Sequence, residues 1–163
     1  MRDDVYLAAL LESEAARFNI QHGGRAMFAL SERSKTNRIG VDSRLIQISD
    51  RAIQISKVDF GFGRDAGVRT DARQLELFTT GKSKCDGINK RSPHQDGKAL
   101  DPTAFKDGIA VWEHKFYAMI AVAFFQAANE LGYRIRWGGM FKDDKIVEGV
   151  PYGWDCPHFE LVD

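Results

Sequence analysis

Two short stretches hold the side chains best suited to joint chemistry. The first, SPHQDGKALD, runs from Ser92 to Asp101. The second, WDCPHFEL, runs from Trp154 to Leu161. In the first, Gly97 lies between His94 and Asp101 and permits a sharp turn that brings both side chains to one point. An imidazole and a carboxylate are an ordinary pair of zinc ligands, yet such a pair also arises often by chance. The second stretch supplies His158 as a third ligand and Asp155 beside it. Three protein ligands, an open position for water and a neighbouring base are what a catalytic zinc site needs. His94, Asp101 and His158 fill the ligand places, and Asp155 is placed to take a proton from an activated water.

The same residues have a plainer reading, in which Asp155 caps a turn before Pro157 and His158 packs on Trp154. Cys156 lies between two inward-facing residues and is expected to point away as a small buried side chain. A non-haem iron site also uses two histidines and a carboxylate, but its first pair is normally H-x-D, whereas His94 and Asp101 are spaced H-x6-D. The other histidines, His22 before a Gly-Gly turn and His114 beside Glu113, read as surface or capping residues.

The elements that must position these groups can be read from periodicity. Residues 4–18 are amphipathic and predict a helix, so residues 1–27 are expected to form a helical extension before a main domain spanning 28–163. Leu45, Ile48, Ala52 and Ile55 share one helical face, with Ser43 as the expected N-cap. Val58, Phe60 and Phe62 alternate as in a strand. A second helix is expected over 71–80, stopped by Gly81, and a long one over 111–131, stopped by Gly132. Between them, KSKCDGINKRSPHQDG reads as a long exposed loop, a length that is usually functional or disordered. KALDPTAF reads as one short strand interrupted by Pro102, with Ala99 and Asp101 on one face. YRIRWGG and PHFELVD complete the strands. Helices and short strands without a βαβ rhythm give an α+β fold, a small antiparallel sheet carrying the zinc site and packed with helices.

Composition excludes several function classes. The 163 residues fit one domain of ordinary size, with 44% hydrophobic and 28% charged residues. Lys+Arg and Asp+Glu balance at 23 each, so no net charge draws the chain to nucleic acid. The most apolar run, Phe116–Phe125, is too short to span a bilayer, which excludes stable membrane insertion. The first residues lack the charge order and cleavage site of a signal peptide, so cytoplasmic synthesis is expected. Two cysteines without a CxxC pair argue against a disulfide framework. A monomer is expected.

The pattern S-x-H-x-x-G-x-A-x-D together with D-x-x-H-x-E-L resembles the zinc D-Ala-D-Ala carboxypeptidase-like peptidases, and within them the phage endolysin L-alanyl-D-glutamate endopeptidases. The stretches LIQISDRAIQISKVDFGF, GVRTDARQLELFTTGKSKCDGINKRS and ANELGYRIRWGG agree, and the likeness runs from about Phe28 to Leu161. The resemblance implies a Hedgehog/D,D-peptidase-like fold, with His94, Asp101 and His158 on Zn2+ and Asp155 as general base. It also matches Arg69 to an arginine that polarises the scissile carbonyl or holds a substrate carboxylate. A fixed guanidinium can do either, although Arg69 could equally form a surface ion pair with Asp65 or Asp71. Ser92 matches a serine that orients substrate or a ligand, and Gln74 a glutamine that braces a loop. The implied partner is the bacterial peptidoglycan stem peptide, reached from the cytoplasm after holin-type release. Relatives often read W-G-G-D-W where this chain has Trp137-Gly138-Gly139-Met140-Phe141, which removes a polar contact at Met140. Two rival functions stand beside this one: a D,D-carboxypeptidase or dipeptidase releasing D-alanine, and a catalytically silent, zinc-stabilised domain that binds the wall.

Overall fold

The computed structural model describes residues 27–141, 146–147, 150–151 and 155–162, with side chains for 27–141 and 155–162. The helix expected over residues 4–18 and the side chain of Trp154 lie outside the described residues. The architecture is α+β, as expected, but among the described residues the antiparallel strands form two three-stranded sheets and a two-stranded ribbon instead of one sheet.

After the short helix α1 (Glu32–Thr36), α2 runs over Ser43–Ile55. Its N-cap is Asp42, one residue earlier than expected, because the Asp42 carboxylate accepts from the Arg44 N–H. Its buried residues are Leu45, Ile48, Ser49, Ala52 and Ile53, and Ile55 packs at the core's edge. Strand β1 (Asp59–Phe62) follows, with Val58, Phe60 and Phe62 all buried. Helix α3 (Asp71–Thr79) is capped by Thr70, and a 3-10 turn forms over Pro93–Asp96.

The stretch expected to be one interrupted strand is two strands in two sheets. β2 (Ala99–Leu100) pairs with β8 (Phe159–Leu161), whereas β3 (Pro102–Lys106) pairs with β1. Pro102 has no N–H to give a ladder, and the first residue of a strand is where proline is tolerated. Asp101 therefore sits at the joint between the sheets, and its own N–H donates to the Ala66 carbonyl, 2.9 Å away. β4 (Ile109–Val111) completes the sheet β1-β3-β4 and takes Val111, the residue expected to begin the long helix; α4 starts at His114 and ends at Leu131. β5 (Ile135–Trp137) completes the sheet β2-β8-β5, and β6 (Ile146–Val147) pairs with β7 (Val150–Pro151).

Helix α4 holds the two sheets to one core. Its buried positions alternate small and large, with Ala121, Ala123, Ala127 and Ala128 allowing close approach and Ile120 and Phe124 filling space. The Phe124 ring lies 5.6 Å from Phe60 of one sheet and stacks at 4.2 Å on Phe159 of the other. Phe159 adjoins His158, so the packing that joins the sheets also fixes the strand that follows the second histidine. Among the described residues, no helix is long and apolar enough to cross a membrane.

Candidate metal centre and active-site cleft

His94 reaches the site from a tightly specified turn. Ser92 caps the 3-10 turn, and its N–H donates to Gln95 Oε1 at 2.9 Å, closing a reciprocal capping box. Gly97 ends the turn with φ 68°, and a Cβ there would lie 2.6 Å from the Gly40 carbonyl oxygen. Gly97 thus does more than turn the chain: it lets the motif dock on the loop before α2, where its carbonyl accepts from the Asp42 N–H at 2.9 Å. His158 follows a turn in which its N–H donates to the Asp155 carbonyl at 3.1 Å. Gly138 N–H then donates to the His158 carbonyl at 2.8 Å, and a Cβ on Gly138 would collide with the Asp155 carbonyl.

These supports bring three donor atoms together. His94 Nε2 lies 3.0 Å from Asp101 Oδ1 and 3.2 Å from His158 Nδ1, which is itself 3.1 Å from Asp101 Oδ1. The other nitrogen of each ring is engaged. His94 Nδ1–H donates to the Gly67 carbonyl at 2.8 Å, and His158 Nε2–H donates to Glu160 Oε2 at 3.0 Å. Each such bond selects a tautomer and leaves the lone pair on the atom facing the triangle. Glu160 is held in turn by Arg136, its cross-strand neighbour. The three residues form a group that could hold a metal ion, and Cys156 is not part of it. Cys156 is buried in the core, and its carbonyl accepts from Trp137 Nε1 at 2.6 Å. Both cysteines are free thiols.

The electrostatics suit a cation. Burial pushes the Asp101 carboxyl up, but the adjacent His94 and the hydrogen bonds from both histidines outweigh it and hold Asp101 well below the usual range. Burial depresses His158, yet its bonds to Asp101 and Glu160 prevail and push it up to about 10. Without an ion, the ring carries the positive charge that the carboxylates demand. Asp155 behaves differently: burial, then the nearby Asp101 charge, push its carboxyl up.

The triangle lies in a cleft of about 580 Å³, also lined by Asp155, Arg69 and Ser92. Arg69 is not the surface ion pair that the sequence left open. Its Nη2 donates to Asp101 Oδ2 at 2.5 Å and its Nε to the Asp65 carbonyl at 2.9 Å. Its Nη1 makes no hydrogen bond to the described residues. The Ser92 hydroxyl accepts from the His94 N–H at 3.4 Å, so this serine orients a site residue through the backbone. Gln74 is fully buried and braces the cleft loop, donating to Ser83 Oγ and the Cys85 carbonyl at 2.8 Å each.

The family model for phage L-alanyl-D-glutamate peptidase matches residues 26–162, nearly the whole chain. The chain belongs to that family. The crystal structure of the Serratia marcescens L-Ala D-Glu endopeptidase ChiX is similar, with a TM-score of 0.68 and 34% identity over 83% of this chain and 91% of that one. None of the curated proteins searched matches the sequence. Sequence reasoning missed two residues that flank this triangle. Glu160 carries a signal, since residues two apart on a strand share a face and Glu160 therefore accompanies His158. Phe141 gave none: its ring lies 5.9 Å from the His158 ring and under the Arg136 guanidinium, forming an apolar wall of the cleft. Met140 is exposed.

Proposed function

We propose that this chain is a zinc peptidase that cleaves the L-alanyl-D-glutamate bond of the peptidoglycan stem, with residues 28–163 as a monomeric catalytic unit. The convergence of His94 Nε2, Asp101 Oδ1 and His158 Nδ1 carries the reading. Tetrahedral ligands about 2.0–2.2 Å from zinc stand roughly 3.3 Å from one another, close to the observed spacing. Two imidazoles and one carboxylate are a catalytic donor set, and they line a cleft of about 580 Å³.

Zinc bound there would supply a Lewis acid and a water whose pKa falls to about 7. The chain's own groups do the rest. Asp155 accepts the attacking water's proton and returns it to the leaving amine, and burial raises its basicity for that task. Arg69 fixes Asp101 through Nη2 and presents Nη1 to the oxygen that gains charge on the scissile carbonyl. Ser92 holds His94 in place and is near enough to the cleft to meet substrate. As a phage-type lysin, the protein would be made in the cytoplasm and reach the wall once the membrane is opened.

The test is digestion of purified wall by the zinc-loaded protein, with fragments identified by mass. New amino-terminal glutamate is the expected product. Free D-alanine without it would make the protein a D,D-carboxypeptidase, and no product from a fully loaded protein would make it a silent binding domain. Equilibrium dialysis should show zinc held by the wild type and lost in His94→Ala.

A further inference from the structure

The chain is electrically balanced, but the cleft is not. Its lining carries Arg69, Lys82, Lys84, Lys90, Arg91 and Arg136 against Asp101, Asp155 and Glu160. Arg69 is matched by Asp101 and Arg136 by Glu160. Arg91 pairs with Asp96 at 2.8 Å and reaches Asp71 at 3.6 Å. Lys82 and Lys90 are exposed, and neither ammonium has an ion-pair partner among the described residues. Both belong to the segment 82–91, which forms one side of the cleft.

That segment is built rather than loose. Buried Gln74 ties down Ser83 and Cys85. Asp86 Oδ1 accepts from the Ile88 and Lys90 N–H groups at 2.9 and 2.8 Å, and the Gly87 N–H donates to the Lys90 carbonyl at 3.0 Å. Gln95, from the turn that carries His94, donates to the Gly87 carbonyl at 3.0 Å. The lysine backbones are therefore fixed relative to the metal-ligating turn, and the flexible ammonium heads are all that must be ordered by a ligand.

We propose that Lys82 and Lys90 form an acid-recognition wall that binds substrate carboxylate on the leaving-amine side of the scissile bond. The inference rests on the peptidase reading above. In an alanyl-glutamate bond the acyl residue is uncharged. The glutamyl residue carries two carboxyls and can use only one to continue the chain, so the other remains as an anion beside the leaving nitrogen. Two unpaired ammonium groups on a braced wall complement it, and being exposed they act chiefly on binding and orientation.

The test compares two soluble peptides that differ only in whether this glutamyl carboxyl is free or amidated, using zinc-loaded wild type, Lys82→Gln/Lys90→Gln and Lys82→Arg/Lys90→Arg. Wild type should prefer the free acid. The glutamine pair should lose about tenfold in kcat/KM on the acid, mostly through KM, and much less on the amide, so that the preference collapses. The arginine pair should restore it. Equal losses on both peptides, or no loss on the acid, would overturn the wall. Calorimetric binding of both peptides to zinc-loaded Asp155→Asn reads the same preference without turnover. If wild type cleaves neither peptide, the peptidase reading fails, and the wall then stands or falls on whether the acid still binds more tightly in a lysine-dependent way.

Discussion

The centre and the rim of the cleft are built on opposite principles. At the centre, His94 is 1% and His158 6% exposed, and every ring nitrogen has a partner. At the rim, the Lys82 and Lys90 backbones are tied down but their charges stand in water. Burial makes each centre interaction strong and each loss severe, whereas solvent makes each rim interaction weak and forgiving. The chemistry is thus fixed by the interior and the choice of substrate by the edge.

The largest break should come from Asp155→Asn. It removes the proposed proton acceptor without removing a donor atom of the triangle, and turnover should fall about 10²–10⁴-fold. Stability should move the other way. A carboxyl whose pKa is raised on folding costs stability above its unfolded pKa, so at neutral pH the neutral amide should leave the denaturation midpoint unchanged or higher. A lowered midpoint would mean that Asp155 braces the fold. Phe159→Ala should produce the converse, a loss of about 3–5 kcal/mol in denaturant titrations, because it empties the stack that joins both sheets. Metal binding should weaken with it, since β8 carries Glu160 and follows directly on His158.

Much of the centre was legible because its chemistry needs specific residue types: two histidines, an aspartate and a glycine leave few alternatives. The placement of Asp101 was not. The alternation of Ala99 and Asp101 suggested one strand, but residues 99–100 pair with β8 and 102–106 with β1, partners distant in sequence that no local pattern reveals. The Gly67 carbonyl that sets the His94 tautomer was hidden for a related reason, since any residue type supplies a carbonyl. The start of α4 was misplaced because Val111, compatible with either period, is claimed by pairing with Ala104 of β3. At the rim the balance of 23 cations and 23 anions concealed the local excess, which arises only when the fold gathers one sign to one wall.

The centre's outer support offers a milder break. Glu160→Gln keeps an acceptor for His158 Nε2–H but loses the charge that polarises the ring and the pair with Arg136. Zinc affinity should fall about 10–100-fold, measured by competition with a chelator of known strength. An unaltered affinity would reduce Glu160 to a strand-pairing residue.

The smallest effect sharpens the contrast through pH. Without metal, His158 is raised to about 10, so it is protonated at neutral pH and contributes stability that is fully present below its unfolded value near 6.5. That contribution is lost as pH rises through 10. An ion needs the neutral ring, so metal and proton compete for Nδ1 throughout this window. Apparent zinc affinity should then rise about tenfold per pH unit between roughly 7 and 9 from this ring. This ring should contribute close to one released proton per zinc bound, in addition to what zinc-bound water gives up above about pH 7, read as the dependence of binding heat on buffer ionisation enthalpy. Asp101 adds nothing to that slope, because its carboxyl is held far below the range and is already ionised.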